Sequence, residues 1–245
     1  MSWKVTGVDL SAVAPVWYVS PLPNPLWFRE ASPNAYNVRV PPNCTFEVDD
    51  VEKEWVWSKP FDFINTRMLG GSFADYEGFM KKAYAYVSCA SLVLRPMKLT
   101  QNNFSHLEPG GYLEMTDIGL PVSSDDGTLN DDNFLRKMSV MTVEAAKNLG
   151  RPIHLAPHYK EIMEKVGFVD VTMKKFKWPS NIWPKDPKFK EMGRWNFANI
   201  DPGLEGLTLF LFTKGLGLSK EETLAYCAGA RKEIRDVKIH AYWPL

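Results

Sequence analysis

Short apolar runs alternate along this chain with stretches of helical period, and that order predicts the architecture. Val5-Thr6-Gly7-Val8-Asp9-Leu10, Thr45-Phe46-Glu47-Val48 and Phe61-Asp62-Phe63-Ile64-Asn65 read as strands that end on polar or acidic residues. Tyr112-Leu113-Glu114-Met115 and Val169 to Met173 read the same way, each entered from a turn. Phe73, Tyr76, Phe79, Met80, Ala83 and Tyr84 recur at helical spacing over residues 73–86. Residues 133–149 predict a helix stopped by Gly150, and residues 156–166 a helix stopped by Gly167. Leu204 to Leu216 is apolar and helical. Ser219 with Glu222 forms a capping box that opens a helix to about Arg235, before a last strand over Lys238 to Pro244. Strands and helices in this alternation predict an α/β domain built on a parallel sheet.

The pattern centres on Leu107-Glu108-Pro109-Gly110-Gly111-Tyr112-Leu113-Glu114. Pro109 cannot continue a helix, the glycine pair supplies a tight reversal, and a strand starts at Tyr112. Taken alone, this is any helix-to-strand corner. Its neighbours narrow the reading. Pro41-Pro42-Asn43, Phe46-Glu47-Val48-Asp49-Asp50, Ser124-Asp125-Asp126-Gly127-Thr128, Trp183-Pro184-Lys185-Asp186-Pro187 and Ile239-His240-Ala241-Tyr242-Trp243-Pro244 follow in order. In these runs the chain resembles the LaeA-like class I S-adenosylmethionine (SAM) methyltransferases, a fungal family named for a regulator of secondary metabolism. The resemblance covers Val5 to Pro15, Val40 to Ala85, Leu107 to Lys190 and Leu204 to Pro244. It implies a Rossmann-like sheet of order 3-2-1-4-5-7-6 with a helical cap, and residues 174–216 are expected to form the lid or cap of a single domain over 1–245.

The departures are specific. No strand, glycine-rich loop and helix stand before Val5, where the family has them, and the last strand stops at Leu245. The sheet is therefore expected to be incomplete, lacking its first strand and the end of its last. Two stretches, about 18–39 and 87–106, have no counterpart. Each carries Val-Ser near its start, at Val19-Ser20 and Val87-Ser88, a pair that an in-frame splice donor often encodes. Both are expected to be retained introns, an idea that transcript sequencing tests.

The resemblance implies roles residue by residue. Asp9, at the end of the family's second strand, accepts the ribose hydroxyls of the cofactor; the competing assignment caps the next turn with Ser11. Asp50 accepts the adenine amino hydrogen and the Val51 backbone faces the ring, against a turn cap for the same acidic pair. Asn65 and Arg67 fall where the cofactor's amino-acid end or the substrate lies. Arg67 either pairs with a carboxylate there or makes a surface salt bridge. The catalytic residue is unknown. His240, Tyr242 and Asp117 are candidates beside equally ordinary structural roles, and Glu114 shares the position of Asp117 near a strand end. His154 and His158 are spaced for a metal pair, but Pro157 between them spoils the helix, so no metal is expected.

Composition changes this picture little. Lys plus Arg and Asp plus Glu number 29 each, which gives no support to nucleic-acid or anionic-membrane binding. The three cysteines are scattered, without metal or disulfide spacing. No apolar run reaches a membrane span, and no signal peptide precedes Val5. A cytoplasmic or nuclear protein is expected.

Two functions follow from the sequence. One is SAM-dependent methyl transfer to a small-molecule or protein acceptor, with a possible regulatory protein partner. The other is an inactive methyltransferase-like interaction protein or truncated gene product. Because the glycine-rich loop is missing, weak or no SAM binding is expected of this chain.

Overall fold

The computed structural model describes residues 4–9, 42–87 and 111–245. The chain divides into two compact units, Met1–Val56 and Trp57–Leu245. Tyr18 to Arg39, nearly all of Val87 to His106, and the Leu107 to Gly110 half of the central turn lie outside the described residues.

In the first unit, β1 (Val5–Asp9) and β2 (Cys44–Val48) form a parallel pair. The register runs from Val5 opposite Cys44 to Asp9 opposite Val48, so both carboxyl ends fall together. A turn follows, closed by Lys53 N–H donating to the Asp50 carbonyl at 2.9 Å. Trp55 is buried and folds back, its indole N–H donating to the Val51 carbonyl at 2.9 Å.

In the second unit, β3 (Phe63–Arg67) and β4 (Tyr112–Thr116) pair in parallel, Phe63 opposite Tyr112 and Arg67 opposite Thr116. The β3 strand begins and ends two residues later than the apolar pattern predicts. Phe61 makes only an isolated bridge to Val87. Helix α1 (Tyr76–Tyr86) starts at Asp75, whose carboxylate accepts from Gly78 N–H at 2.8 Å. After β4 come α2 (Phe134–Asn148), a 3-10 turn at Ala156–His158, and α3 (Tyr159–Val166). Then β5 (Lys177–Pro179) runs antiparallel to β6 (Tyr242–Pro244). Between these two strands lie α4 (Pro187–Phe210), a π-helical turn Leu211–Gly215, and α5 (Lys220–Arg235) with the expected capping box.

The α/β class stands, with an incomplete sheet: the described strands form three two-stranded pairs rather than one continuous sheet. One expected strand does not form. Over Val169 to Met173 no ladder exists, and Val169 is 83% exposed. Asp170 sits at φ 55°, which breaks an extended run at its second residue. The strand forms instead at Lys177–Pro179. The helix expected from Leu204 starts earlier, at Pro187, where Asp186 caps it by accepting from Lys188 and Phe189 N–H. Residues 174–216 thus supply β5, α4 and the π turn.

The main core lies among α2, α4 and α5. Leu135, Leu204, Phe212, Cys227, Ala230 and Ile234 are each at most 1% exposed there, with Val122 and Ala241 beside them. Burying a large apolar side chain is worth about 1.5–3 kcal/mol, so this cluster dominates the unit's stability. Polar ties fix the helix ends. Glu233 of α5 accepts from Phe134 N–H at 3.0 Å and Leu135 N–H at 2.7 Å, capping α2 from a distant helix. Asp201 of α4 accepts from Arg235 at 2.8 Å, and Glu205 accepts from Arg231 at 2.6 Å.

Candidate functional site

Ligand-binding groups in parallel α/β folds gather at the carboxyl ends of strands. In the first unit that end carries Asp9, Asp49 and Asp50. Asp9 is the last residue of β1. Asp49 Oδ1 accepts from Asp50 N–H at 2.7 Å. Asp50 Oδ1 accepts from Glu52 N–H at 3.0 Å, and its other oxygen lies 3.8 Å from the Lys53 ammonium. One Asp50 oxygen therefore closes the turn, while among the described residues the second makes only a long ion pair. Among the described residues Val51 N–H has no hydrogen-bond partner.

In the second unit, strand alternation sets the faces of β3. Thr66 is 8% exposed and points inward, while Asn65 and Arg67 lie exposed on the opposite face. Among the described residues the Arg67 guanidinium has no ion-pair partner. The next residue, Met68, holds φ 56°, a left-handed backbone that costs a non-glycine residue about 1–2 kcal/mol. Such strain persists only where surroundings enforce it.

Those surroundings are explicit. Met68 N–H donates to the Thr116 carbonyl at 2.9 Å. Gly70 N–H donates to Asp117 Oδ1 at 3.1 Å. Gly71 N–H donates to the Tyr76 hydroxyl at 3.0 Å, and that hydroxyl donates to the Leu69 carbonyl at 2.7 Å. Arg151 donates to the Ser72 carbonyl at 2.7 Å. Every residue from Met68 to Ser72 is thus held from β4, from Asp117 just after it, from α1 or from the segment after α2. Gly71 is required as glycine: it has φ +80°, and a Cβ there would meet Ile153 Cγ2 at 2.7 Å.

Asp117 is the hub of this loop. Its Oδ1 also accepts from Ile118 N–H at 3.1 Å, and its Oδ2 accepts from the Tyr159 hydroxyl at 2.9 Å. Burial pushes its pKa up, and the hydrogen bond from Tyr159 is the largest effect opposing that. Burial also drives the Tyr159 hydroxyl far above its ordinary value, with the Asp117 charge adding to it, so it remains a donor. Nothing in the sequence signals Tyr159 or the strained Met68.

An open cleft of about 440 Å³ adjoins the loop. Among the described residues Gly70, Gly71, Ala146, Leu149, Arg151, Ile153, Phe210 and Leu211 line it.

His240 and Tyr242 lie apart from Asp117, in a different cluster. The His240 ring nitrogen Nδ1 bonds Asp126, and the ring stacks on Trp183 with centroids 4.9 Å apart. The Tyr242 hydroxyl donates to Asp125 at 2.7 Å, and Lys177 pairs with the same carboxylate. Hydrogen bonds from Ser124 and Thr128, with His240 next, hold Asp126 below the ordinary carboxylate range. The structure therefore joins the Ser-Asp-Asp-Gly-Thr and His-Ala-Tyr-Trp-Pro runs, in a satisfied network that ties β6 to the loop before α2. His158 pairs with Glu161 at 3.2 Å. Among the described residues no group of three or more His, Cys, Asp and Glu is placed to hold a metal ion.

The chain matches the methyltransferase domain family over residues 2–173. It belongs to that family. It is 33% identical over 237 residues to methyltransferase pytC of Aspergillus terreus, covering 97% of this chain and 60% of that protein. It is 30% identical over 208 residues to the secondary metabolism regulator LAE1 of Cochliobolus heterostrophus, covering 83% of this chain and 61% of that one. The LaeA-like resemblance is borne out, and the chain spans about 60% of the length of these curated relatives. Among solved structures, phospholethanolamine N-methyltransferase 2 of Haemonchus contortus is similar at 16% identity and a TM-score of 0.37, covering 82% of this chain and 36% of that one. That likeness is too slight to carry any geometry across.

Proposed function

We propose that this protein transfers a methyl group from SAM to a small-molecule or protein acceptor of fungal secondary metabolism. The observation that carries the reading is the strained, fully held Met68–Ser72 turn at the carboxyl end of β3, in a chain of the methyltransferase domain family. SAM supplies an already activated methyl group, so the protein's task is binding and alignment rather than covalent chemistry.

The residues present fit that task. Arg67 offers an exposed guanidinium suited to a carboxylate, and Asn65 beside it offers amide hydrogen bonds. The less engaged oxygen of Asp50 and the Val51 N–H suit the amino group and ring nitrogen of adenine. Asp9 serves the ribose hydroxyls by the same resemblance. A specific observation favours a second role for Asp50, because its Oδ1 caps the turn through Glu52 N–H. The His240 and Tyr242 network is satisfied by its own carboxylates, which supports a structural role there.

No helix among the described residues is long and apolar enough to cross a membrane, in keeping with action in the cytoplasm or nucleus. A regulatory protein partner is part of the same proposal.

Calorimetric titration of SAM onto the chain tests it, with thermal melts alongside. A ligand at a hundredfold excess over its dissociation constant raises folded-state stability by about 2.7 kcal/mol. Arg67→Ala is expected to weaken binding about 10- to 100-fold, the loss of one charge-assisted hydrogen-bonded pair. A folded chain that gives neither heat nor a melting shift overturns the reading.

A further inference from the structure

We infer that the cleft beside Gly70 and Gly71 is the methyl-acceptor pocket, and that it takes a flat, apolar small molecule carrying an O–H or N–H donor rather than a peptide. This rests on the methyltransferase reading and deepens it.

The cleft's size, its lining and the adjoining loop carry the assignment. The cleft holds about 440 Å³, within the range of sites for small organic ligands. Besides Gly70, Gly71 and Arg151, its lining is Ala146, Leu149, Ile153, Phe210 and Leu211, with no carboxylate and no amide side chain among the described residues. A peptide would bring backbone carbonyls as well as N–H groups, and among the described lining residues Arg151 is the one side chain that could donate to them. Phe210 is 64% exposed, an aromatic surface open to stacking by a planar ring.

The amide hydrogens of Gly70 and Gly71 are already used, by Asp117 and Tyr76. Their carbonyls have no hydrogen-bond partner among the described residues. The two glycines thus keep free acceptors and no free donors, which suits a ligand hydroxyl or amine, the group that a methyl transfer would modify. A π-helical turn, a feature frequent at functional sites, supplies Leu211 to the same cleft.

The test uses 1-naphthol, a planar apolar donor, titrated onto the chain by equilibrium dialysis without SAM. Saturable one-to-one binding is expected. Leu149→Trp, which fills the cleft from the end of α2, is expected to weaken it at least tenfold while circular dichroism stays unchanged. Should that variant fail to fold, Phe210→Ala at an exposed position is expected to weaken binding about three- to tenfold. Binding that neither substitution alters, or no saturable binding, overturns the pocket. So does SAM-dependent methylation of a peptide library unaffected by the cleft-filling substitution, and that result leaves the methyltransferase reading intact. Naphthol binding that responds to both variants in a chain that takes no SAM keeps the pocket and sinks the methyltransferase reading instead.

Discussion

The Tyr159 hydroxyl donates to Asp117 Oδ2 at 2.9 Å, so a residue opening α3 orients the carboxylate that holds the Gly70 backbone. Tyr76 reinforces the link: its ring stacks on Tyr159 with centroids 5.6 Å apart, and its hydroxyl holds Gly71. The turn after β3 is therefore shaped by side chains from two helices.

Removing that donor leaves a buried carboxylate oxygen unpaired. Tyr159→Phe is expected to cost about 1–3 kcal/mol in urea unfolding, the usual penalty for an orphaned buried acceptor. It should also loosen the Met68–Ser72 turn, read as faster hydrogen exchange at Gly70 N–H.

Asp117 makes the fold sensitive to pH in an unusual direction. Its folded pKa is raised by burial, so the folded state holds this proton more tightly than the unfolded chain. Its contribution is fully present below the ordinary aspartate value of about 4 and is lost as pH rises through the raised one. Asp117→Asn does not ionise. The stability of the natural protein relative to that variant should fall as pH climbs from about 4 towards neutrality, as melts across that range will show.

Glu77 behaves oppositely. Lys165 of α3 lies 2.6 Å from its carboxylate and Lys81 2.8 Å, and these bonds lower its pKa to about 2. The stabilising effect is present above the ordinary glutamate range and disappears as pH falls towards about 2. Glu77→Gln should flatten the acid limb of the stability profile between about pH 4.5 and 2, and high salt should mimic the substitution because the pair is exposed. An acid limb identical in the two proteins would contradict this.

Glu233→Ala strips the acceptor from Phe134 and Leu135 N–H. Loss of an N-terminal cap costs about 0.5–2 kcal/mol. Amide exchange should accelerate in the first turn of α2 and remain unchanged at its far end.

Much of this architecture was legible in residue order. The capping box at Ser219 and Glu222, the glycine stops at Gly150 and Gly167, and the stripe from Tyr76 to Ala83 are local signals that the backbone obeys. Where tertiary geometry decides, pattern misleads. Phe61 and Asp62 alternate like strand residues, yet Phe61 finds only one bridge, to Val87. Val169 to Met173 has an ordinary strand pattern, and the left-handed backbone at Asp170 interrupts it. The site shows the same division. The exposed positions of Asn65 and Arg67 follow from period-two alternation, with Thr66 turned inward between them. That Asp117 reaches Gly70 and Tyr159, while His240 reaches Asp126 across 114 residues, depends on packing that no local motif encodes.

The cap on α2 also orders events at the ribosome. Asn133, at the helix start, makes no capping bond of its own, and the carboxylate that substitutes for it lies 99 residues downstream of Phe134. During vectorial synthesis, the first turn of this helix waits with open amides until α5 has emerged and docked. A nascent chain arrested before Glu233 carries α2 frayed at its start, and the later helix α5 is the one that completes it.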